Sequence, residues 1–364
     1  MEIENLTKEM RNYAIEHDKG KSPSQVAASW YGDDLTYSGS GKTIFIILPT
    51  SGCSWALGDS GGCTMCSYTS DTTLEPIADE DVIELFENHL NRHPYKEDYE
   101  NGEKIAIKLF ASGSFLNPHE LSINCRDEIL KIIANTKEIS EIVVESRPEY
   151  IKEEIIDDIF EIIDDKLFEI AIGLETSNDN TRLNKINKGF TLKDFNDSVK
   201  LISKLNLEKG YNLKSKAYIF IKPILLNEKE AIDEAIESAA HCEKTGVSRI
   251  SFCPATIHSK TLIERMWRNG SYKAPWIWST IEVINTVRSN FKIPALLDTS
   301  GFGSRRGPYN CKKCNKDLKH EIIKSNLNQS IIDFDCECKS EWIGEVKHSN
   351  MNYSKTFIKH LPLY

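Results

Sequence analysis

The chain has 364 residues, of which 40% are hydrophobic and 27% charged, the composition of a soluble globular protein with one large or two ordinary domains. Its net charge of -10 argues against a generic cationic nucleic-acid binder. No apolar run approaches the roughly 18–20 residues of a membrane span, and the charged start over 1–21 lacks an apolar signal core, so a cytoplasmic protein without a membrane partner is expected.

Residues 1–41 read as a helical extension. Residues 42–48 (KTIFIIL) form a continuous apolar run of strand length, as buried parallel strands do. A Gly/Ser-rich loop carrying Cys53, Cys63 and Cys66 follows. The spacing of Val82, Leu85, Phe86 and Leu90 then predicts a helix over 79–90. The alternation continues with strand 104–110, helix 118–135, strand 141–145, helix 151–164 and strand 168–174. Helix 192–205, strand 214–221, helix 228–244 and strand 249–253 complete it. Six β-α units predict an α/β fold with a parallel sheet and right-handed crossovers. Six are too few for a closed eight-unit barrel. An open sheet or partial barrel is expected, with its site where the strands' C-terminal ends meet their loops.

Ten cysteines are the informative number, and seven fall in two groups. Cys53, Cys63 and Cys66 are spaced C-x9-C-x2-C, directly after the first strand. Three thiolates are one short of a closed tetrahedral site. A [4Fe–4S] cluster held by three cysteines leaves one iron free for an outside ligand. Zinc is the competing metal and would need a fourth ligand, for which His93 and His119 are poorly placed. The later strand ends also carry polar or Gly residues: Ser112, Gly113, Ser114, Glu145, Arg147, Glu175, Lys188 and Lys216. Cys125, Cys242 and Cys253 read as packed or plain thiols.

These motifs resemble the radical S-adenosylmethionine (SAM) enzymes, in the branch that includes the elongator catalytic subunit. The resemblance lies in C-x9-C-x2-C, in Ser112-Gly113-Ser114-Phe115, in E-S-R-P-E from Glu145 to Glu149, and in Glu175 with Asn187-Lys188-Gly189. It covers roughly 43–255 and implies a partial (βα)6 barrel over 42–255, with a [4Fe–4S] cluster on Cys53, Cys63 and Cys66. The free iron would chelate the methionyl group of SAM, and a donated electron would release a 5′-deoxyadenosyl radical. The resemblance implies that the backbone at Ser112 and Gly113, with Ser114, meets the methionyl amino group. Glu145, Arg147, Glu175 and Lys216 would serve the cofactor, and Lys188 its carboxylate. Many relatives have Arg at that last position, and many have an aromatic residue where Met65 stands.

Downstream, 256–305 reads as a helical, aromatic extension that closes the barrel. Trp276 and Trp278 beside Pro275 read either as a hydrophobic plug or as a base-stacking wall. Residues 306–364 read as a small metal-binding domain, with Cys311, Cys314, Cys336 and Cys338 spaced C-x2-C-x21-C-x-C. Four thiolates suit a structural zinc in a zinc-ribbon-like domain, with short strands around Ile331, Ile332, Phe334 and Trp342. A second iron–sulfur cluster is the alternative. From residue 291 onward there are 12 basic and 8 acidic residues, so Arg305 and Arg306 are candidate phosphate contacts on an otherwise acidic chain.

The segments P-W-x-W-S and R-G-P-x-N-C-x-x-C resemble the radical subunits of the archaeosine synthase family. That resemblance implies a lyase acting on tRNA, in which a partner subunit first adds lysine to 7-cyano-7-deazaguanine. The radical subunit then breaks the lysine C–N bond, with help from an electron donor. Two other readings are open: another elongator-like tRNA modification, or a zinc-ribbon nucleic-acid-binding module on a silent barrel.

Overall fold

The computed structural model describes residues 2–18 and 20–349. Eight strands form one sheet in chain order: β1 Ala28–Thr36, β2 Gly39–Leu48, β3 Ile105–Ala111, β4 Ile139–Glu145, β5 Leu167–Glu175, β6 Leu213–Ile221, β7 Arg249–Pro254 and β8 Ala295–Leu297. β1 pairs antiparallel with β2, and every later pair is parallel. Helices Asp79–Leu90, Ile123–Ala134, Glu153–Ile163, Leu192–Lys209, Glu228–Thr245 and Ile277–Asn290 follow β2 to β7 in turn. On β2, Ile44, Ile46 and Leu48 are almost wholly buried and join the core with Val82, Phe86 and Leu90 of the first of these helices. Alternation then turns Thr43, Phe45 and Ile47 to the inner face. Several helices start on side-chain caps. Thr191 with Asp194 and Asn227 with Glu230 form capping boxes, each satisfying two orphan N–H groups.

The sheet curls until its two ends face each other. Arg249 on β7 donates to Leu35 O on β1 at 2.7 Å, and the Tyr37 hydroxyl, in the β1–β2 turn, reaches Glu169 on β5 at 2.5 Å. β1 and β8 are not paired, so the barrel is an open half. Helix Asn315–Asn328 packs against both β1 and β8 and bridges the gap. Its Asn326 accepts from Leu297 N at 3.0 Å and donates to Leu297 O at 2.9 Å, satisfying a free strand edge. The end opposite the candidate site is closed by a charged floor. There Arg249 pairs with Glu169 at 2.6 Å, Lys108 pairs with Asp34, and Tyr37 N donates to Glu141 at 2.8 Å.

Three features differ from the sequence expectation. The segment 1–41 is not helical throughout, because helix Glu2–His17 is followed by β1. The sequence of β1, ASWYGDDLT, has neither an apolar run nor alternation. Its acids point to Lys42, Thr43 and Lys108 instead. β8 has three residues, too few to register as a pattern. The short strands expected around the second cysteine group do not form among the described residues. Ile331 to Phe334 have no regular structure, and Trp342 lies in helix Lys339–His348. The expected metal-binding domain extends to 364, and its residues 350–364 lie outside those described.

Candidate active site

Cys53, Cys63 and Cys66 lie in the loop after β2, at the C-terminal ends of the parallel strands. All three are free and partly buried. Burial pushes each thiol up. Lys188 and Arg147 oppose this at Cys63, and Arg11 opposes it at Cys66. Among the described residues, only the C-terminal cysteines form a group whose ligand atoms all lie within 4.8 Å of one another. A single tetrahedral zinc needs thiolates roughly 3.8 Å apart, since each Zn–S bond is about 2.3 Å. The first three thiols do not form such a compact set. His93 is engaged elsewhere, bonded to Ser29 Oγ at 2.9 Å.

The loop is fixed by residues far away in sequence. Arg11, buried on helix Glu2–His17, donates to Gly61 O at 3.1 Å, to Cys66 O at 2.8 Å and to Thr69. Glu120 accepts from Ser54 N at 2.7 Å and from Ser114 N, tying the cysteine loop to the loop after β3. A Cβ on Gly113 would lie 2.1 Å from Glu120 Oε2, so a side chain there would displace the carboxylate that joins the two loops. Ser112 is buried and donates to Asp71 O at 3.2 Å, while Ser114 Oγ accepts from Arg147 N at 3.2 Å. The Asn187-Lys188-Gly189 loop is clamped to the same place. Asn187, at φ 61°, donates to Ser60 O and Gly62 O at 2.9 and 2.7 Å, and accepts from the Trp55 indole at 2.8 Å.

Lys188 pairs with Glu175 at 2.7 Å, both largely buried. A Cβ on Gly173 would lie 2.5 Å from Lys188 Nζ, so the pair lies directly on the β5 backbone. Arg147 donates to Lys188 O at 2.9 Å, and its guanidinium lies over the rings of Trp55 and Phe190. Burial pushes the Glu145 carboxyl up to about 7, against a hydrogen bond from Tyr218 and the charges of Lys216 and Lys188. Burial, with Lys108 and Arg249 nearby, lowers Lys216 to about 7. Lys216 Nζ makes no ion pair among the described residues and lies 5.2 Å from the centre of the Tyr218 ring. Tyr68 is 49% exposed and lies beside Glu145, Cys66, Cys253 and Glu175. These residues converge at the end of the sheet that carries the cysteine loop.

The predicted cofactor residues thus converge. Sequence reading missed Arg11, Glu120, Tyr68 and Tyr218, because none stands in a motif and their partners lie far away in sequence.

At the C-terminal group, Cys311 Sγ lies 3.4 Å from Cys314 Sγ and 3.7 Å from Cys336 Sγ, and Cys314 Sγ lies 3.7 Å from Cys338 Sγ. These edges fit a tetrahedron about one metal ion. Trp276 and Trp278 do not form a stacking surface. They are 7% and 2% exposed, and their indoles donate to Glu345 at 2.7 Å and to Cys338 Sγ at 3.3 Å. Their spacing beside a helix start suits the plug. Trp30, exposed, and the half-buried Phe45 and Phe110 form an aromatic stack on β1–β3, with Trp30 4.8 Å from Phe45. Arg305 is exposed. Arg306 is engaged with Glu264 at 2.7 Å and lies over Trp267, so it is not a free phosphate contact.

No helix among the described residues is long and apolar enough to cross a membrane. No family model matches the chain. It is 35% identical over 339 residues to the archaeosine synthase subunit beta of Methanosarcina acetivorans, covering 92% of this chain and 94% of that one. It is 33% identical to the archaeosine synthase subunit beta of Thermococcus kodakarensis, covering 86% and 94%. Among solved structures, the Methanocaldococcus infernus Elp3 aligns with a TM-score of 0.49 at 13% identity, covering 69% of this chain and 59% of that one. The radical S-adenosylmethionine methyltransferase TsrM of Kitasatospora setae aligns with a TM-score of 0.41 at 12% identity, covering 63% and 37%. The cysteine loop on the first parallel strand of an open half-barrel and the relatives matched along nearly their whole length agree: the chain belongs to the archaeosine synthase subunit beta family.

Proposed function

We propose that this chain is a tRNA-modifying radical SAM lyase, the subunit of an archaeosine synthase that breaks a C–N bond. The observation that carries the reading is the convergence of three free thiols, the Lys188–Glu175 pair and Arg147 at one end of the sheet. When bound, a [4Fe–4S] cluster supplies the electron that opens a C–S bond of SAM. Cys53, Cys63 and Cys66 would hold that cluster. The Ser112-Gly113 backbone and Ser114 would meet the methionyl amino group, with Glu120 fixing the turn. Lys188 would meet the carboxylate, and Glu145 and Glu175 the ribose or methionyl groups. Arg147 acts as a positioning residue through Lys188 O. Lys216 would take an anionic or acceptor group of cofactor or substrate.

The substrate in this reading is the lysine adduct of 7-cyano-7-deazaguanine in tRNA, made by a partner subunit. Removal of a hydrogen atom from the carbon beside the lysine side-chain nitrogen, loss of one electron to a one-electron acceptor and addition of water would break that C–N bond, leaving the formamidine base on the RNA and releasing the side chain as an aldehyde with one proton. The wall of Trp30, Phe45 and Phe110 gives a planar base an apolar face to stack on. Cys311, Cys314, Cys336 and Cys338, complete in four protein ligands, would hold a structural zinc. An electron donor is required.

The test is a reaction of reduced, reconstituted protein with lysine-modified tRNA. Archaeosine and 5′-deoxyadenosine should form together by mass spectrometry. Deoxyadenosine with an unchanged base would overturn the lyase assignment.

A further inference from the structure

An open depression of about 510 Å³ is lined by Arg305, Lys312, Lys316 and Lys319, with Phe302 and Tyr309. Among the described residues none of these four cations forms an ion pair. The cations beside them do: Arg306 pairs with Glu264 at 2.7 Å and Lys313 with Glu337 at 2.9 Å. Four uncompensated cations on one concave surface repel one another, and they stand on a protein of net charge -10. A bound polyanion relieves that repulsion and releases its own counterions.

The position of the depression is as informative as its charge. The loop carrying Arg305 leaves β8 at the end where β2 carries the cysteine loop, since β2 to β8 are parallel. Ile257 N donates to Arg306 O at 2.6 Å, and Thr256 Oγ1 donates to Ser300 O at 3.2 Å, so this loop is anchored to the segment after β7. Helix Asn315–Asn328 starts at the same rim, bearing Lys316 and Lys319, and runs down beside β8 to Gln329, which accepts from Ala295 N at 2.8 Å. The cations therefore lie at the end of the sheet that carries the cysteine loop.

We infer that this depression is the docking site for the sugar–phosphate backbone of the RNA, holding the strand at the rim while a base reaches the cysteine-loop end of the sheet. The inference rests on the tRNA reading above. Open concave shape, aromatic lining and a position at the cysteine-loop end of the sheet favour RNA over an acidic protein.

The test measures binding of an unmodified tRNA transcript to the full chain by fluorescence anisotropy across a salt series. The variants are Arg305→Gln/Lys312→Gln/Lys316→Gln/Lys319→Gln and the control Lys313→Gln, each checked for an unchanged melting midpoint. The fourfold variant should bind at least about tenfold more weakly, with a log K against log salt slope shallower by roughly 3, as each lost phosphate contact removes about 0.7–0.9. The control should bind as wild type. Wild-type binding that the fourfold variant retains would overturn the inference and leave the depression to an acidic protein surface. A wild-type chain that binds no tRNA at low salt would overturn the tRNA reading itself.

Discussion

The local geometry at Lys188 suits a lysine. Its ammonium lies on the Gly173 backbone and pairs with Glu175, a space that suits a compact point charge. Lys188→Met leaves a buried carboxylate without its cation, and a loss of roughly 3 kcal/mol is expected in chemical unfolding. It should also raise the KM for SAM. Unchanged stability and KM would contradict the pairing described. Glu145 gives a pH prediction for the metal-free protein. Its folded carboxyl holds its proton up to about 7, chiefly through burial, whereas an unfolded glutamate releases it near about 4.3. The folded state then binds more protons, so this group's contribution is fully present below the unfolded value and is lost as pH rises through about 7. The melting temperature of wild type should fall relative to Glu145→Gln over that window, and parallel curves would refute it. At this scale the motif residues were legible in the sequence, because each sits on a strand end. The residues that hold them, Arg11 and Glu120, were not, since their partners are fixed only once strand and helix ends meet in space.

The elements show the same division between local and long-range information. Six parallel strands declare themselves as apolar runs because both faces of each are covered. β1 does not, because its Asp33 and Asp34 find cations on β2 and β3 that no local pattern reveals. The N-terminal helix Glu2–His17 acts as a clamp on the cysteine loop. Arg11→Met removes three hydrogen bonds from that loop. Reconstituted variant protein should lose iron during gel filtration while wild type keeps it, and equal retention would show the clamp to be dispensable. The four-cysteine group was legible as a ligand set but not as a fold. Its spacing is compatible with a ribbon, yet helices Asn315–Asn328 and Lys339–His348 begin directly on Cys314 and Cys338. Trp278 touches Cys338. Elemental analysis should find about one zinc per chain at this site, lost in Cys338→Ser together with a red shift of tryptophan emission. A variant with full zinc and unshifted emission would contradict a packing role for the metal.

Across the whole molecule, an acidic half-barrel is closed below by a charged floor, bridged at its open side by helix Asn315–Asn328 and clamped above by the N-terminal helix. One end is left for chemistry. Net charge hid this arrangement, because it averages an acidic body with a basic rim. The central claim is that the loop of Cys53, Cys63 and Cys66 holds the cluster that activates SAM. Its most direct measurement is iron content and 5′-deoxyadenosine formation after anaerobic reconstitution, wild type against Cys63→Ala. Wild type should carry about four irons and release 5′-deoxyadenosine when reduced with SAM, and Cys63→Ala should do neither. Full cleavage of SAM by Cys63→Ala would contradict the account.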